Sequence, residues 1–498
     1  MNIDDLSALA KRRGFFWPSA EIYGGAAGIY DYGDVGALLK RKFESLWLSF
    51  FVDTGRVCHL IEGSTILPEA PLVHSGHASR FNDIIVGCSK CHSFYRADVL
   101  LDDSKIEVSE GASAQEMDKL IKENKVKCPK CKSSAFSPSK TFNMMIDVAL
   151  GPEKGDKGYL RPETAQSAYL NFFREYNILR KTLPFGLAVI GKAYRNEISP
   201  RQGLYRMREL TQAEVQLFFD PQTFDWDIGK VGEKTVNVQL YQKKQEKMKL
   251  NDLVKNHKIP RFYAWHIAMI DTFYREVLGV PEDKIRFLEK GGNEKAFYNK
   301  IHMDIEIEVE SWGGFKEVGG LHYRGDYDLT QHTKGSQQDH SVTIDGRKFM
   351  PNVLELSFGV DRNLWMLIDV FFKKDDERTV LQIKPYLSPY QLAIFPLQKD
   401  EEINQMTDRI FKDLRPYFRI ALDDSGSIGR RYARMDEIGT PFCVTVDYDS
   451  VNKESELYGT VTVRSRDDKK QVRIKTSELK SFVEKHTSFN PYGFWNFF

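Results

Sequence analysis

Residues 351–362 have the sequence PNVLELSFGVDR, and this stretch predicts the central unit of the fold. The apolar run Val353–Phe358 is typical of a buried strand, and the apolar stretch Val360–Phe372 that follows it predicts a helix. Charged side chains inside such a strand are costly to bury unless they are paired or bind a ligand. The unit therefore predicts a functional site, whose candidate residues are Glu355, Ser357, Asp361 and Arg362.

A second stretch, residues 195–209, has the sequence RNEISPRQGLYRMRE and lies between two predicted strands, Phe185–Gly191 and Glu214–Phe219. Arginines at strand ends suit a polyphosphate, because the guanidinium group makes bidentate contacts and keeps its charge. Nearby carboxylates suit Mg²⁺ or an ammonium group. A solvated face of ion pairs is the usual alternative for a single charge, but the whole loop favours a ligand site. The sequence contains no GxxxxGK[ST] motif, so if the polyphosphate belongs to a nucleotide, that nucleotide is not bound by a P-loop.

The remaining patterns predict an antiparallel sheet followed by a separate domain. Ile305–Glu310 is a fourth β-rich run, and Asp345-Gly346 is a hairpin signal. Beyond the prolines at 385 and 389 the order becomes strand, helix, strand, helix, three strands and helix. That alternation predicts a small α/β domain over residues 385–498.

Four cysteines form two C-x-x-C pairs, and the polar, Lys- and Ser-rich segment 87–132 that they bracket predicts an inserted module. Four thiolates close a tetrahedral zinc site and leave no open position, so the predicted zinc is structural. Two turns with free thiols are the alternative. The predicted ligands are Cys88, Cys91, Cys128 and Cys131.

Composition excludes several classes of protein. The 498 residues are enough for two to four domains, and 71 Lys and Arg against 70 Asp and Glu leave a net charge of +1. This balance excludes a polycation, so a nucleic-acid site would be a local patch. The sequence has no uncharged apolar run near the ~20 residues that span a bilayer and no signal-peptide pattern. With few cysteines, this predicts a cytoplasmic protein without membrane association.

Together these stretches resemble the class II aminoacyl-tRNA synthetases. Residues 195–209 resemble motif 2 of that class, and residues 351–362 resemble motif 3. Residues 427–439 resemble the anticodon-binding domain that several class IIa members share. Resemblance to the glycyl-tRNA synthetases in particular depends on Arg161–Gln166, Ser75–His77, Tyr95–Asp98 and Arg324–Leu329. Taken alone, Pro162 and Glu163 also fit an ordinary helix start.

The resemblance implies an α/β (α+β) fold with an antiparallel sheet of six to seven strands flanked by helices. The domains it implies are an N-terminal part of the catalytic domain at 1–86, a zinc-binding insertion at 87–132, a catalytic core at 133–384 with a helical insertion at about 225–300, and an anticodon-binding domain at 385–498. It also implies a homodimer, with residues 35–85 contributing to the interface.

The implied reaction is the activation of glycine by ATP–Mg²⁺ to glycyl-adenylate, followed by transfer of glycine to the 3′ end of tRNA-Gly. Arg195 and Arg362 would be catalytic, Glu197 would accept from the adenine amino group, and Glu317 would support Mg²⁺. Glycine would lie among Arg96, Glu163, Leu210, Thr211, Gln212, Glu214, Glu355, Ser357 and Gly359. ATP would lie among Arg195, Asn196, Glu197, Tyr205, Arg206, Arg208, Glu209, Leu210, Glu317, Val318, Gly359, Asp361 and Arg362.

Three positions depart from the family pattern: Leu210 replaces a phenylalanine that stacks on adenine, Asp34 replaces a proline, and His322 replaces a small residue. A basic run on a predicted helix could contact tRNA phosphate, with a solvated face as the alternative; it comprises Lys243, Lys244, Lys247, Lys249, Lys255 and Lys258. The aromatic tail at 492–498 is predicted to pack on the protein. An accessory protein that binds nucleic acid without catalysis, and a synthetase for another amino acid, are the alternative functions.

Overall fold

The computed structural model describes residues 2–54, 57–106, 108, 112–152, 156–180, 182–198, 200, 202–223, 226–291, 295–296, 298–374 and 378–495. The strands in these residues are β1 (Phe16–Pro18), β2 (Tyr30–Tyr32), β3 (Cys58–Leu60), β4 (Ile66–Pro68), β5 (Asn82–Gly87), β6 (Phe94–Arg96), β7 (Lys140–Asn143), β8 (Ile146–Leu150), β9 (Asp156–Leu160), β10 (Phe185–Tyr194), β11 (Glu209–Phe219), β12 (Thr235–Gln239), β13 (Glu246–Lys249), β14 (Ile285–Glu289), β15 (Ile301–Val309), β16 (Gly314–Gly325), β17 (Val342–Ile344), β18 (Arg347–Phe349), β19 (Asn352–Gly359), β20 (Phe372–Lys374), β21 (Thr379–Leu381), β22 (Leu392–Pro396), β23 (Ile420–Leu422), β24 (Phe442–Val446), β25 (Thr460–Ser465) and β26 (Gln471–Lys475).

The α-helices of the same residues are α1 (Ile3–Arg12), α2 (Asp34–Leu48), α3 (Glu69–His74), α4 (His77–Arg80), α5 (Ala97–Asp103), α6 (Ala114–Glu123), α7 (Ala165–Ile178), α8 (Leu250–His257), α9 (Arg261–Thr272), α10 (Tyr327–Ser336), α11 (Val360–Phe371), α12 (Glu401–Leu414), α13 (Ile428–Glu437), α14 (Tyr448–Val451), α15 (Leu479–Thr487) and α16 (Tyr492–Trp495). None of the described helices is long and apolar enough to cross a membrane.

A large mixed sheet forms the centre of the fold, with strand order β13-β12-β14-β15-β16-β19-β11-β10-β3 in the described residues. Its middle strands, from β14 to β10, are antiparallel throughout. The antiparallel prediction is confirmed for these strands, but the nine-stranded sheet is wider than the six to seven strands predicted. The additional strands are short and lie at the two edges of the sheet. There β3 pairs parallel to β10 and β12 pairs parallel to β14.

The two faces of this sheet differ in chemistry because side chains alternate along each strand. On β11 the polar residues at 212, 214 and 216 alternate with apolar residues at 213, 215 and 217. The apolar face packs against α2, where the rings of Trp47 and Phe358 lie 5.9 Å apart. Burial stabilises the fold by roughly 1.5–3 kcal/mol for each large side chain. The opposite face carries the polar residues of β11, and α7 packs on its β10–β11 end.

The stretch 225–300 corrects the prediction of a helical insertion. It contains α8 and α9, but also β12, β13 and β14, which extend the large sheet. The lysine-rich run predicted as a helix includes β13, on which Lys247 and Lys249 flank Met248. Met248 packs against the core while the two lysines pair with glutamates in solvent. Successive side chains therefore alternate between core and solvent, which is the two-residue period of a strand.

The cysteine module is built on a small sheet of β6, β5 and β7, with α5 and α6 packed on its own apolar core. Because β5 begins before residue 87 and β7 lies after residue 132, the folded unit begins before and ends after the predicted segment. The C-terminal region has a five-stranded sheet of order β23-β22-β24-β25-β26, and its strands and longer helices follow the predicted order. The short helices α14, between β24 and β25, and α16 were not predicted.

The aromatic tail is described only as far as residue 495. The Phe494 ring stacks on Phe489 at 5.8 Å, as predicted for a tail that packs on the protein. Tyr492 is 62% exposed, so the prediction is wrong for that residue. Phe497, Phe498 and the side chain of Trp495 lie outside the described residues.

Candidate active site

Two adjoining cavities, of about 100 and 510 Å³, open on the polar face of the sheet. Arg195 and Glu317 line both of them, so the two cavities share a wall and are together called the cleft. The strands of the sheet supply the floor, and the segment after β10 together with the start of α11 supplies the walls. The predicted site residues in the walls are Glu163, Arg195, Glu197, Tyr205, Arg206, Leu210, Thr211, Gln212, Glu317, Ser357, Gly359, Asp361 and Arg362.

Arg195 follows directly after β10, at the end of a strand that spans the sheet. Its Nε donates to the carbonyl of Pro162 at 3.3 Å, and its guanidinium lies 5.4 Å from the centre of the Phe81 ring. These contacts fix the cation in the common wall of both cavities. A guanidinium placed there can neutralise two different anionic groups of one bound complex.

Arg362 lies on the first turn of α11, on the other side of the smaller cavity. Its Nε donates to the Tyr205 carbonyl at 3.1 Å, and its Nη1 forms an ion pair with Glu317 Oε2 at 3.1 Å. Its guanidinium also lies 4.6 Å from the centre of the Tyr205 ring. Arg362 therefore contacts two other predicted ATP-binding residues, Tyr205 and Glu317, and Leu210 lies in the wall of the same cavity.

Glu197 is buried, yet its Oε2 has no hydrogen-bond partner among the described residues. Arg206, in the same wall, likewise has a buried Nη1 without a partner in those residues. A buried polar atom left unpaired costs about 1–3 kcal/mol. This cost is recovered if a ligand supplies the missing donor and acceptor.

Asp361 has a structural role that its prediction as a nucleotide contact did not include. Its carboxylate accepts from Lys40 Nζ at 3.0 Å, from the Tyr32 hydroxyl and from the Thr211 backbone N–H. Burial opposes its ionisation, but Lys40 and the Tyr32 hydroxyl hold the pKa of Asp361 below its usual value. The side chain thus ties α11 to β11 and α2, because all of its strong contacts are within the protein.

Several other predicted residues do not line either cavity in the described part of the chain. Glu209 pairs with Lys192 at 2.8 Å, and Arg208 donates to the Glu197 carbonyl at 3.1 Å. Arg96 pairs with Asp83 and Asp98, and the Val318 side chain is fully buried. The predicted residues outside the walls are Arg96, Asn196, Arg208, Glu209, Glu214, Val318 and Glu355.

Three neighbouring carboxylates influence one another's ionisation: Glu163, which lines the larger cavity, and Glu214 and Glu355, which are buried beside the cleft. Glu214 accepts from Thr164 Oγ1 at 2.5 Å, Ser357 Oγ at 2.7 Å and Gln212 Nε2 at 2.9 Å. A carboxylate has about four acceptor positions, so three internal donors leave one for a ligand. Glu214 is therefore a preformed hydrogen-bond acceptor for a bound cation.

The charges of the three carboxylates are set by different partners. Burial, with the negative charges of Glu355 and Glu163, raises the pKa of Glu214 to about 7. For Glu163 burial acts in the same direction, but His77 and Arg324 outweigh it and hold the pKa well below the usual value. Arg324 donates to Glu355 at 3.0 Å and, together with His322, keeps the pKa of Glu355 low despite burial.

Five residues that were given no site role from the sequence hold these carboxylates in place, although four of them lie in the stretches 75–77, 161–166 and 324–329 that carry the family resemblance. Arg324 bonds Asp328 through two 2.9 Å contacts as well as Glu355, and Gln216 donates to Glu355 at 2.8 Å. The other three are Thr164 on Glu214, Gln166 on Glu163 at 3.0 Å and His77 at 3.4 Å from Glu163. The alternating polar residues of β11 were a signal for Gln216. The other four are contacts that only the folded chain creates.

Four cysteines of the inserted module come together as predicted, and their Sγ atoms all lie within 4.8 Å of one another. Cys88 Sγ is 3.5 Å from Cys131 Sγ, and Cys91 Sγ is 3.6 Å from Cys128 Sγ. These separations suit a tetrahedral ion with bonds of about 2.3 Å to sulfur. The cluster is therefore able to hold a metal ion.

Comparisons with known proteins agree with this geometry. Residues 148–371 match the family model "tRNA synthetase class II core domain (G, H, P, S and T)", and residues 391–486 match "Anticodon binding domain". The chain is 35% identical to "Glycine--tRNA ligase" of Thermococcus sibiricus, over 95% of this chain and 96% of that protein. It is 36% identical to the same-named protein of Pyrococcus furiosus, over 95% and 97% of the two chains.

A comparison with solved structures matches prolyl-tRNA synthetase from Cryptosporidium parvum with a TM-score of 0.58 at 12% identity. The match covers 99% of this chain and 77% of that one. At this identity the likeness concerns the fold alone.

Proposed function

The chain belongs to the glycine–tRNA ligases, a family of class II aminoacyl-tRNA synthetases, and we propose from this premise that it activates glycine with ATP and transfers it to tRNA-Gly. The resemblance found in the sequence is thereby confirmed. One observation supports this function above the others: buried carboxylates beside a cleft whose shared wall holds Arg195. An amino acid without a side chain offers only its ammonium and carboxylate groups for recognition.

In the proposed reaction a glycine carboxylate oxygen attacks the α-phosphorus of ATP, and pyrophosphate leaves as the new P–O bond forms. Arg195 would hold both the α-phosphate and the glycine carboxylate, and Arg362 would hold the γ-phosphate. Both arginines neutralise charge that shifts during the transfer, so catalysis depends on positioning and electrostatics. Glu317, which contacts Arg362, would support the Mg²⁺ that ATP brings as part of the substrate.

Selectivity for glycine would come from exclusion together with a strong hold on the ammonium group. Glu163, Glu214 and Ser357 would surround the ammonium group, and Glu197 would accept from the adenine amino group. Three protein donors already surround Glu214, and a crowded ammonium site of this kind would reject amino acids that carry a side chain. The second step would join glycine to the 3′ end of tRNA-Gly, which the C-terminal domain at 385–498 would help to select.

Aminoacylation of a tRNA-Gly transcript tests this function directly. We expect labelled glycine, and not labelled alanine, to become bound to the transcript in the presence of ATP–Mg²⁺. A chain that activates glycine but never charges the transcript would support activation and contradict transfer.

The ionisation of Glu214 predicts how glycine binding depends on pH. The raised pKa of about 7 means that Glu214 is mostly protonated at pH 6 and mostly ionised at pH 8, and only the ionised form attracts an ammonium group. We therefore expect the KM for glycine to fall roughly tenfold between pH 6 and pH 8. Binding should also release a proton, which calorimetry in buffers of different ionisation enthalpy measures. A glycine KM that stays constant over this range would contradict the assignment of Glu214, and the KM for ATP serves as the internal control.

We also propose that the four cysteines bind a structural zinc ion. The closed thiolate set leaves no position for a substrate, and several kcal/mol of folding free energy typically depend on such an ion. We expect Cys128→Ser to lose one zinc per chain and to make residues 82–143 sensitive to limited proteolysis, while the sheet stays resistant. Cys58→Ser, outside the cluster, is the matched control. Unchanged zinc content in Cys128→Ser would contradict the site.

A homodimer is the oligomeric state that we propose. Residues 35–85 include the sheet-edge strand β3 and exposed apolar side chains, Leu60 at 54% and Val73 at 48%. An open strand edge with exposed apolar residues is typical of an interface. A molar mass of one chain in solution would contradict this proposal.

A further inference from the structure

A second set of metal-ligand residue types lies on the floor of the cleft, on strands β15 and β16. His302 and Asp304 are two residues apart on β15, so their side chains share one face of the sheet. His322 lies directly opposite His302 on β16, and Gly320 lies opposite Asp304. The sheet register itself therefore brings two imidazoles and a carboxylate together, with no side chain between them at the fourth position.

The donor atoms are within reach of a single ion. One ligand atom from each of the three residues lies within 4.8 Å of the other two. His302 Nε2 is 3.0 Å from Asp304 Oδ1, and the two imidazole rings are 4.3 Å apart between centres. All three residues line the larger cavity, together with Arg195 and Glu317. An ion bound there would keep at least one coordination position open to the cleft.

The neighbours of His322 orient it as a metal ligand. Its Nδ1 bonds Glu355 Oε1 at 2.5 Å, so Nε2 is the nitrogen directed away from the carboxylate. A Cβ on Gly320 would lie only 2.4 Å from that Nε2, which places Nε2 above the glycine that faces Asp304. Histidine ligands usually donate their second nitrogen to a carboxylate in this manner.

The hydrogen bonds around His302 indicate which of its two ring nitrogens faces the cluster. Asn299 Nδ2 is 3.2 Å from His302 Nδ1, while Asn299 Oδ1 is buried without a hydrogen-bond partner in the described residues. Exchanging the two ends of the amide pairs Oδ1 with an Nδ1–H of His302 and leaves the lone pair of Nε2 directed at the cluster. The second oxygen of Asp304 faces Lys290 Nζ at 3.5 Å, so Oδ1 is the oxygen directed at the imidazoles.

We propose that His302, Asp304 and His322 form a binding site for a divalent late transition metal ion, zinc in the first instance. Two imidazole nitrogens and one carboxylate are borderline ligands that zinc binds well, whereas Mg²⁺ takes oxygen ligands and keeps several waters. The site is separate from the four cysteines, and its two imidazoles distinguish it from the oxygen ligands that Mg²⁺ takes. Glu355 connects it to the proposed glycine pocket, because that carboxylate holds both His322 and Arg324.

Metal counting on the full-length chain tests the proposal without any use of catalysis. After loading with zinc and gel filtration, we expect two zinc ions per chain in the wild type, one from the cysteines and one from this site. His302→Gln and His322→Gln should each retain one ion, and His257→Gln, a histidine outside the cluster, should retain two. Thermal unfolding of each variant checks that a lost ion does not reflect a lost fold.

Cobalt(II) identifies which ligands hold the second ion. Added to chains whose cysteines carry zinc, cobalt should give ligand-field absorption without thiolate charge-transfer bands, and His322→Gln should abolish this absorption. Gly320→Ala, which displaces His322, should weaken cobalt binding by about tenfold. A wild-type chain with one zinc, or histidine variants that still bind two ions, would overturn the proposal. In that case the three residues are a hydrogen-bonded support for Glu355.

Discussion

Replacing Arg195 by glutamine lowers kcat/KM for glycine-dependent ATP–pyrophosphate exchange by about 1,000-fold, because this single guanidinium is proposed to bind both the α-phosphate of ATP and the glycine carboxylate. Removal of a single donor to a developing oxyanion typically costs about 100- to 1,000-fold, and Arg195 lines both cavities. Arg195→Lys should recover only a small part of the loss, since a point charge cannot reproduce the bidentate contact. Steady-state exchange at saturating and subsaturating ATP measures the effect.

Arg347→Gln is the matched control for Arg195. Arg347 lies on β18, pairs with Asp220 and is absent from the walls of the two cavities described here. Its loss should leave exchange within about twofold of the wild type. An Arg195→Gln chain that keeps more than a tenth of the wild-type kcat/KM would remove Arg195 from the catalytic role.

Replacing Glu163 by glutamine raises the KM for glycine by about 100-fold and changes the KM for ATP by less than about threefold. The substitution keeps the size and shape of the side chain but removes the negative charge proposed to hold the ammonium group. Loss of one partner of a desolvated, hydrogen-bonded charge pair costs about 2–5 kcal/mol, which corresponds to this range. Exchange assays with glycine and ATP varied separately measure both constants.

Glu233→Gln is the control for Glu163, since Glu233 is an exposed glutamate that pairs with Lys249. The glutamine at 163 leaves His77 and Arg324 with a weaker partner, so the melting temperature should be measured for both variants. Equal increases in the two KM values would contradict the proposed contact between Glu163 and glycine.

Much of the fold could be predicted from local pattern. The strand and helix at 352–371, the hairpin at 345–346 and the order of the strands and longer helices after residue 390 were each predicted from a short run of sequence. Side-chain alternation and turn residues act over a few positions, so a single sequence contains that information. The two C-x-x-C pairs are also local signals, because a single short turn in each pair is enough to bring both thiols together.

The contacts that the sequence did not reveal join distant segments. Asp361 accepts from Lys40, 321 positions away in the chain, so its pairing could not be recognised from its neighbours. Gln216 and Arg324 meet Glu355 only because three strands lie side by side. β13 was predicted as a helix because its two-residue period lasts for four residues, too few to separate it from the helix α8 that follows.

ATP–pyrophosphate exchange with each of the twenty amino acids in separate reactions tests the central claim most directly. The carboxylate pocket predicts exchange with glycine alone, at a rate that Arg195→Gln lowers by about three orders of magnitude. Exchange with a different amino acid would preserve the fold and contradict the pocket. The absence of exchange with glycine, in folded and zinc-loaded protein, would contradict the proposed catalytic function.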